Sequence, residues 1–373
     1  MKARFEKKQY LVINTQPLAG STFVTWMKVL LENRFQIDWQ FIPKALYVTI
    51  MILATTPLRF IEKWKFEKKF KDVKIEKPIF IIGHWRSGTT FLHYLMGNDK
   101  NLGYVSTMDT LDPSVFLNYE KLLHNIVQNS LPEKRPMDNL EMGTKLPYEE
   151  EYAIANLSPY SFYHAWYFPR AINRYFTRYV LYEGVDRKIV EQWKKTYLYF
   201  LKKITYKHQG KQIVIKSLVN TAKIQHLLEL FPDAKFIHQY RNPYEVYMST
   251  WRLYNSILPL FSFQHIDKEE FDTSILTIYR RISERYLQEK KLIPKENLIE
   301  LRYEDFVKDP LQTLEMIYKK FNLPGFEEVK PAFEKYLKKH EVYERNHYSI
   351  DEQTKKKVYQ AWEVIFKEFG YRQ

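Results

Sequence analysis

The sequence predicts an α/β fold of three layers, a central parallel sheet flanked by helices, with an N-terminal helical extension ahead of it. Two observations predict it. Short apolar runs at Ile79-Phe80-Ile81-Ile82, Gln212-Ile213-Val214-Ile215 and Lys235-Phe236-Ile237-His238 are rich in β-branched residues and bounded by polar or glycine signals, as strands buried on both faces are. Segments with helical spacing separate these runs, which is the alternation of a parallel sheet with crossover helices. Of the 373 residues, 1–75 read as the helical extension and 76–373 as the α/β domain.

Residues 1–75 carry few strand signals. Phe41 to Ile61 is an apolar stretch whose uncharged middle, Ala45 to Leu58, is bracketed by Lys44 and Arg59. That middle is shorter than the ~20 residues of a membrane-crossing helix. Two alternatives stay open, a helix packed on the domain or one lying on an anionic bilayer; Trp39, Trp64, Lys63, Lys65, Lys68, Lys69 and Lys71 suit the second. The opening MKARFEKKQY has no apolar core or small-residue cleavage site, so a cytoplasmic location is expected, with peripheral membrane contact through 41–61 as the open alternative.

The first strand runs into Gly83-His84-Trp85-Arg86-Ser87-Gly88-Thr89-Thr90 and then into helical spacing. Strand, glycine-spaced loop and helix make the fold P-loop-like. The frame is G-x-x-x-x-G-T-T, with Thr89 where a nucleoside-triphosphate enzyme carries lysine. Arg86 is the loop's cation. Backbone N–H groups, the hydroxyls of Ser87, Thr89 and Thr90, and the positive end of the following helix are expected to cradle an anion.

Further along, Leu102 to Ser106 reads as a strand, Asp112-Pro113-Ser114 as a helix start, and Arg135 to Asn139 as a loop. Pro147-Tyr148-Glu149-Glu150-Glu151 reads as the opening of a helix with acids in its first turn. By local rules these acids sit on a solvated turn, yet Glu149 and Glu150 are also general-base candidates. Residues 158–182 are dense in rings, which either fill a core or wall an apolar pocket. The 212–217 strand ends at Lys216, and the 235–240 strand exits at Arg241-Asn242-Pro243, with Ser249 two turns into the next helix. Ligands of parallel sheets bind beyond the carboxyl ends of strands, where Lys216 and Arg241 fall. A strand at 297–303, helices at 310–321 and 359–369, and a basic loop around Arg345 complete the chain.

A net charge of +14 favours anionic partners, and the absence of cysteine excludes disulfides, thiolate metal sites and cysteine nucleophiles. Nucleic acid is not expected, because the lysines are scattered among acids.

Taken together, the two anion motifs resemble those of the PAPS-dependent sulfotransferases, particularly the bacterial branch. GHWRSGTTFLH resembles the family's 5′-phosphosulfate loop, with Arg86 in the place of the more familiar lysine. FPDAKFIHQYRNPYEVYMS resembles its 3′-phosphate motif, with Arg241 and Ser249 at the matching arginine and serine. RPMDNLEMGTKLPYEEEYA and LRYEDFVKDPLQTL resemble further segments of the family. The lysine-threonine-histidine base segment of the animal members has no counterpart, and Arg345 is only a loose substitute for their C-terminal phosphate loop.

The resemblance implies metal-independent, in-line transfer of a sulfuryl group from PAPS to a hydroxyl, with adenosine 3′,5′-bisphosphate as product. It implies that Arg86, Ser87, Gly88, Thr89 and Thr90 hold the 5′ end, that Arg241 and Ser249 hold the 3′-phosphate with Arg345 as a further contact to the cofactor, that Lys216 assists the leaving group, and that Glu149, Glu150 or His84 takes the proton. A hydrophobic acceptor such as a sterol is expected, some gut-bacterial relatives being sterol sulfotransferases. The alternatives are a carbohydrate or glycolipid acceptor and, from another class, a P-loop kinase or nucleotidase.

Overall fold

The structure is a computed structural model and describes residues 12–13, 16–135, 138, 140–340 and 350–373. The chain divides into two compact units interleaved in sequence: 1–74 with 105–210 and 252–274, and 75–104 with 211–251 and 275–373. The helices of the N-terminal region group with 105–210 and 252–274 in the first unit.

The second unit holds a five-stranded parallel sheet: β1 (Ile79–Gly83), β2 (Leu102–Tyr104), β3 (Gln212–Lys216), β4 (Lys235–Tyr240) and β5 (Leu298–Arg302), in the order β2-β3-β1-β4-β5. Every residue of β1 is buried, which is why it reads as an unbroken apolar run and not as an alternating one. Its side chains still alternate between faces. Ile79 and Ile81 join Val214, Ile237 and Ile299 in a core closed by Leu92, Leu314, Ile317 and Phe333 from the helices Thr89–Met96, Pro310–Phe321 and Phe326–Lys339. On the opposite face Phe80 packs on Phe236 and Phe231, and His238 stacks on Tyr286 with ring centroids 3.6 Å apart.

The parallel register brings three strand ends together. Ile81 pairs with Lys216 and Gly83 with Gln239, so the exit of β1 lies between the ends of β3 and β4. The β3-to-β4 connection crosses over β1, making β1 the place where strand order switches and ligands of such sheets bind.

The first unit is helical among its described residues. Its Ile42–Phe70 helix is longer than the sequence suggested, because Lys44 and Arg59 do not bracket it but turn inward. The apolar stretch was expected to be too short to cross a membrane; the Trp39–Phe70 segment is long and apolar enough by length and composition, with about a quarter of its most apolar window buried. Two helix starts also differ. Ser106 closes a capping box on the helix Thr107–Leu111, and Pro113 precedes the helix Phe116–Ser130 without opening it. Pro147 forms an antiparallel bridge with Ser106, so its helix begins only at Glu151.

The rings of 158–182 are core. Phe162, Tyr163, Trp166, Tyr167, Phe168, Tyr175, Phe176 and Tyr179 are buried and pack largely on one another, as in the Tyr163–Trp166 and Phe162–Phe176 pairs. The pocket-wall alternative gains nothing from them. Part of the loop expected at 135–139 and the whole loop around Arg345 lie outside the described residues.

Candidate functional site

The loop after β1 is built to leave an uncluttered helix end. Gly83, at φ 146°, approaches the β4 backbone so closely that a Cβ would lie 2.3 Å from the Gln239 carbonyl oxygen. Thr221 fixes that turn by accepting from the Gly83 N–H at 2.8 Å and donating to the Gly83 carbonyl at 2.6 Å. Ser87 folds the loop back on itself, its N–H and Oγ both donating to the His84 carbonyl at 3.2 and 2.8 Å. Arg86 sits at φ 75°, a conformation that costs a non-glycine residue on the order of 1–3 kcal/mol and that recurs at ligand sites.

Gly88 then opens the helix Thr89–Met96 from φ 90°, with no side chain to cap it. A Cβ there would lie 2.3 and 2.4 Å from the Tyr303 ring, so the loop's second glycine is set by close approach as well as by φ. The first amides of a helix have no intrahelical acceptor, and with the helix dipole they form an anion cradle.

The second motif meets the first directly. Arg86 Nε donates to Ser249 Oγ at 2.8 Å, and Arg241 Nη1 donates to the Arg86 carbonyl at 3.4 Å. Residues 163 positions apart are thereby joined into one constellation. Arg241 is held in place by Glu245, 3.2 Å away and one turn along its helix, and by the Tyr303 ring, 4.5 Å below its guanidinium. Ser249 is buried on the helix Pro243–Phe261. Backbone amides, two guanidinium groups and several hydroxyls are the donor set a bisphosphorylated nucleotide requires.

Lys216 ends β3 on the face covered by the helix Thr89–Met96 and is buried. Burial and the Lys216 charge together push the imidazole of neighbouring His93 down to about 3. His84 fares no better as a base. Buried against Tyr279, it donates from Nδ1 to the Trp85 carbonyl at 2.9 Å, and desolvation lowers its pKa to about 3. That hydrogen bond orders the loop, and burial favours the neutral form of the ring.

Glu149 and Glu150 belong to the other unit. They are not on a solvated turn: Glu149, Glu150 and Glu151 are all buried and each accepts a hydroxyl, from Tyr163, from Tyr197 at 2.9 Å and from Ser161 at 2.6 Å. Glu149 retains 8% exposure, whereas Glu150 has none.

Sequence inspection missed Tyr303, Thr221, Glu245 and Gln239. Only Glu245 had a local signal, its i,i+4 spacing from Arg241. Gln239 sits under the loop with neither polar atom of its amide hydrogen-bonded among the described residues.

A parallel sheet whose central strand opens into this loop, hydrogen-bonded to Arg241 at the exit of β4 and to Ser249 on the helix that follows, has the anion-binding architecture of the P-loop-like folds. Residues 78–328 match the sulfotransferase family. Omega-hydroxy-beta-dihydromenaquinone-9 sulfotransferase Stf3 of Mycobacterium bovis is 30% identical over 356 residues, covering 94% of this chain and 90% of that one. Two solved structures share the fold: sulfotransferase STF9 from Mycobacterium avium, at TM-score 0.68 and 16% identity over 94% of this chain and 97% of that one, and STF1 from Mycobacterium tuberculosis, at 0.66 and 17% over 91% and 90%. The chain belongs to the sulfotransferase family and is a PAPS-dependent sulfotransferase. The relative's lipid-quinone acceptor gives no support to the expected sterol.

Proposed function

We propose that the chain transfers the sulfuryl group of PAPS to a hydroxyl carried by a long apolar molecule of the lipid-quinone kind, in line and without a metal ion. The observation that carries the transfer chemistry is the Arg86–Ser249 hydrogen bond, which couples the loop to the Arg241 motif. The amides and hydroxyls of Ser87, Gly88, Thr89 and Thr90 would hold the 5′ end of the donor, and Arg241 with Ser249 its 3′-phosphate. Arg86 stands between the two. A sulfuryl group carries one negative charge, which guanidinium and amide donors suffice to stabilise as it passes to the acceptor oxygen. Lys216 would offset charge on the departing bisphosphate.

For the proton we favour Glu149 over Glu150, because only Glu149 keeps exposure through which an acceptor hydroxyl can reach it. The apolar acceptor rests on the relative named for a menaquinone substrate; the ring-rich segment, being core, lends it nothing.

The test is an assay of PAPS in EDTA against a hydroxyl-terminated polyprenyl quinone, a sterol and a simple sugar, with products identified by mass. Sulfation of the quinone at a rate unaffected by EDTA is expected. Sulfation of the sugar alone would overturn the acceptor, and a requirement for added metal would overturn the mechanism.

A further inference from the structure

The Ile42–Phe70 helix has two unlike faces. Ala45, Val48, Ile52, Arg59, Glu62 and Phe70 are buried, while Ile42, Leu46, Ile50, Leu53, Phe60 and Trp64 are exposed. At 3.6 residues per turn the exposed set falls within roughly 80° of azimuth, and Trp39 precedes it by one turn. From Trp39 to Trp64 this makes an apolar ridge about 37 Å long at 1.5 Å per residue. Leu46, Ile50 and Leu53 are 57%, 62% and 53% exposed, and the tryptophans at the ends 76% and 86%. A continuous ridge of that kind has no structural use to a protein surrounded by water.

Its charges decide what it fits. Lys44 is drawn inward to the carbonyls of Pro259 and Leu260 at 2.7 and 2.9 Å, Arg59 to Asp112 at 3.3 Å and the Ser21 carbonyl, and Glu62 to Lys203 at 2.7 Å. The three ionised groups between Trp39 and Glu62 are thus withdrawn onto the packed face. Past Trp64 the exposed side continues into Lys65, Lys68 and Lys71. An apolar ridge with a tryptophan at each end and a lysine cluster at one of them is complementary to the interface of an anionic bilayer.

We infer that this ridge docks the protein on an anionic lipid bilayer, with the helix lying in the interface plane. The inward contacts of Lys44, Arg59 and Glu62, spread along the helix, tie it to its unit along its length; crossing the bilayer would strip all three and leave buried charges unpaired. The inference is independent of the acceptor.

Sedimentation of the full chain with vesicles of phosphatidylcholine containing 30 mol% phosphatidylglycerol, against pure phosphatidylcholine, tests it. Binding to the anionic vesicles is expected, with release by alkaline carbonate. Replacing Lys65, Lys68 and Lys71 by glutamine should weaken binding about 100-fold, and Leu46→Ser with Ile50→Ser and Leu53→Ser should abolish it. Both variants should keep the wild-type melting temperature and thermal stabilisation by adenosine 3′,5′-bisphosphate, since these side chains are exposed. Unchanged binding by the serine variant, equal binding to both vesicles, or retention after carbonate would overturn the inference. So would failure to bind vesicles together with a dimer that the serine substitutions dissolve, which would assign the ridge to a second copy of the chain.

Discussion

Gly88→Ala is the substitution whose cost the structure states most directly. Gly88 has φ 90°, and a Cβ would fall 2.3 Å from a Tyr303 ring carbon and 2.9 Å from Gln239 Nε2. The left-handed backbone alone costs an alanine about 1 kcal/mol, and forcing a methyl group into packed atoms costs about 1–3 kcal/mol more. A total near 3 kcal/mol, set against an unfolding entropy of about 2.1 cal/mol/K per residue, lowers the melting temperature by about 4 °C for a chain of 373 residues melting as a whole. The same shift moves the amides of the helix Thr89–Met96, so adenosine 3′,5′-bisphosphate should bind at least tenfold more weakly by calorimetry. In a Tyr303→Ala background most of the steric part is gone, only Gln239 Nε2 remaining close, and the alanine should cost about 1–2 kcal/mol. Unchanged melting and unchanged nucleotide affinity in the single variant would refute the close-packed cradle.

Glu149→Gln keeps an acceptor for the Tyr163 hydroxyl but loses the proposed base, so kcat should fall roughly 10²- to 10⁴-fold with nucleotide binding intact, while Glu150→Gln should stay within tenfold. Steady-state kinetics showing the reverse order would move the base to Glu150. Acid should unfold the protein early. Burial lowers His84, His93 and His238 to about 3 and His164 to about 4, so these rings are neutral when folded and protonated when unfolded as pH falls below about 6.5. The unfolded chain then binds more protons, and stability drops by up to about 5 kcal/mol per pH unit until the folded values are approached. Denaturant midpoints that stay flat from pH 7 to pH 5 would contradict this.

The sheet was legible because parallel strands buried on both faces write their burial as unbroken apolar runs, and Ile79–Gly83 and Gln212–Lys216 were readable to within a residue or so. The loop was legible because two glycines, an arginine and a hydroxyl pair are local. What the sequence concealed depends on distant partners. Glu149 to Glu151 looked solvated because their hydroxyl partners are supplied by Ser161, Tyr163 and Tyr197, which no spacing rule connects to them. Lys44 and Arg59 looked like the charged ends of a short apolar segment, since their acceptors include the distant Pro259 carbonyl and Asp112. His84 stood beside the arginine in sequence and so looked reactive. Only the packing of Tyr279 over its ring shows how thoroughly it is desolvated.

In the proposed function the loop and the Arg241–Ser249 pair clamp the donor at its two ends, and calorimetry with two ligands tests this most directly. Wild-type protein should bind adenosine 3′,5′-bisphosphate far more tightly than adenosine 5′-monophosphate. Arg241→Ala should cost the bisphosphate roughly 10- to 100-fold, the worth of a charged hydrogen bond, and leave the monophosphate nearly unaffected. Equal losses for the two ligands, or none for either, would contradict the clamp.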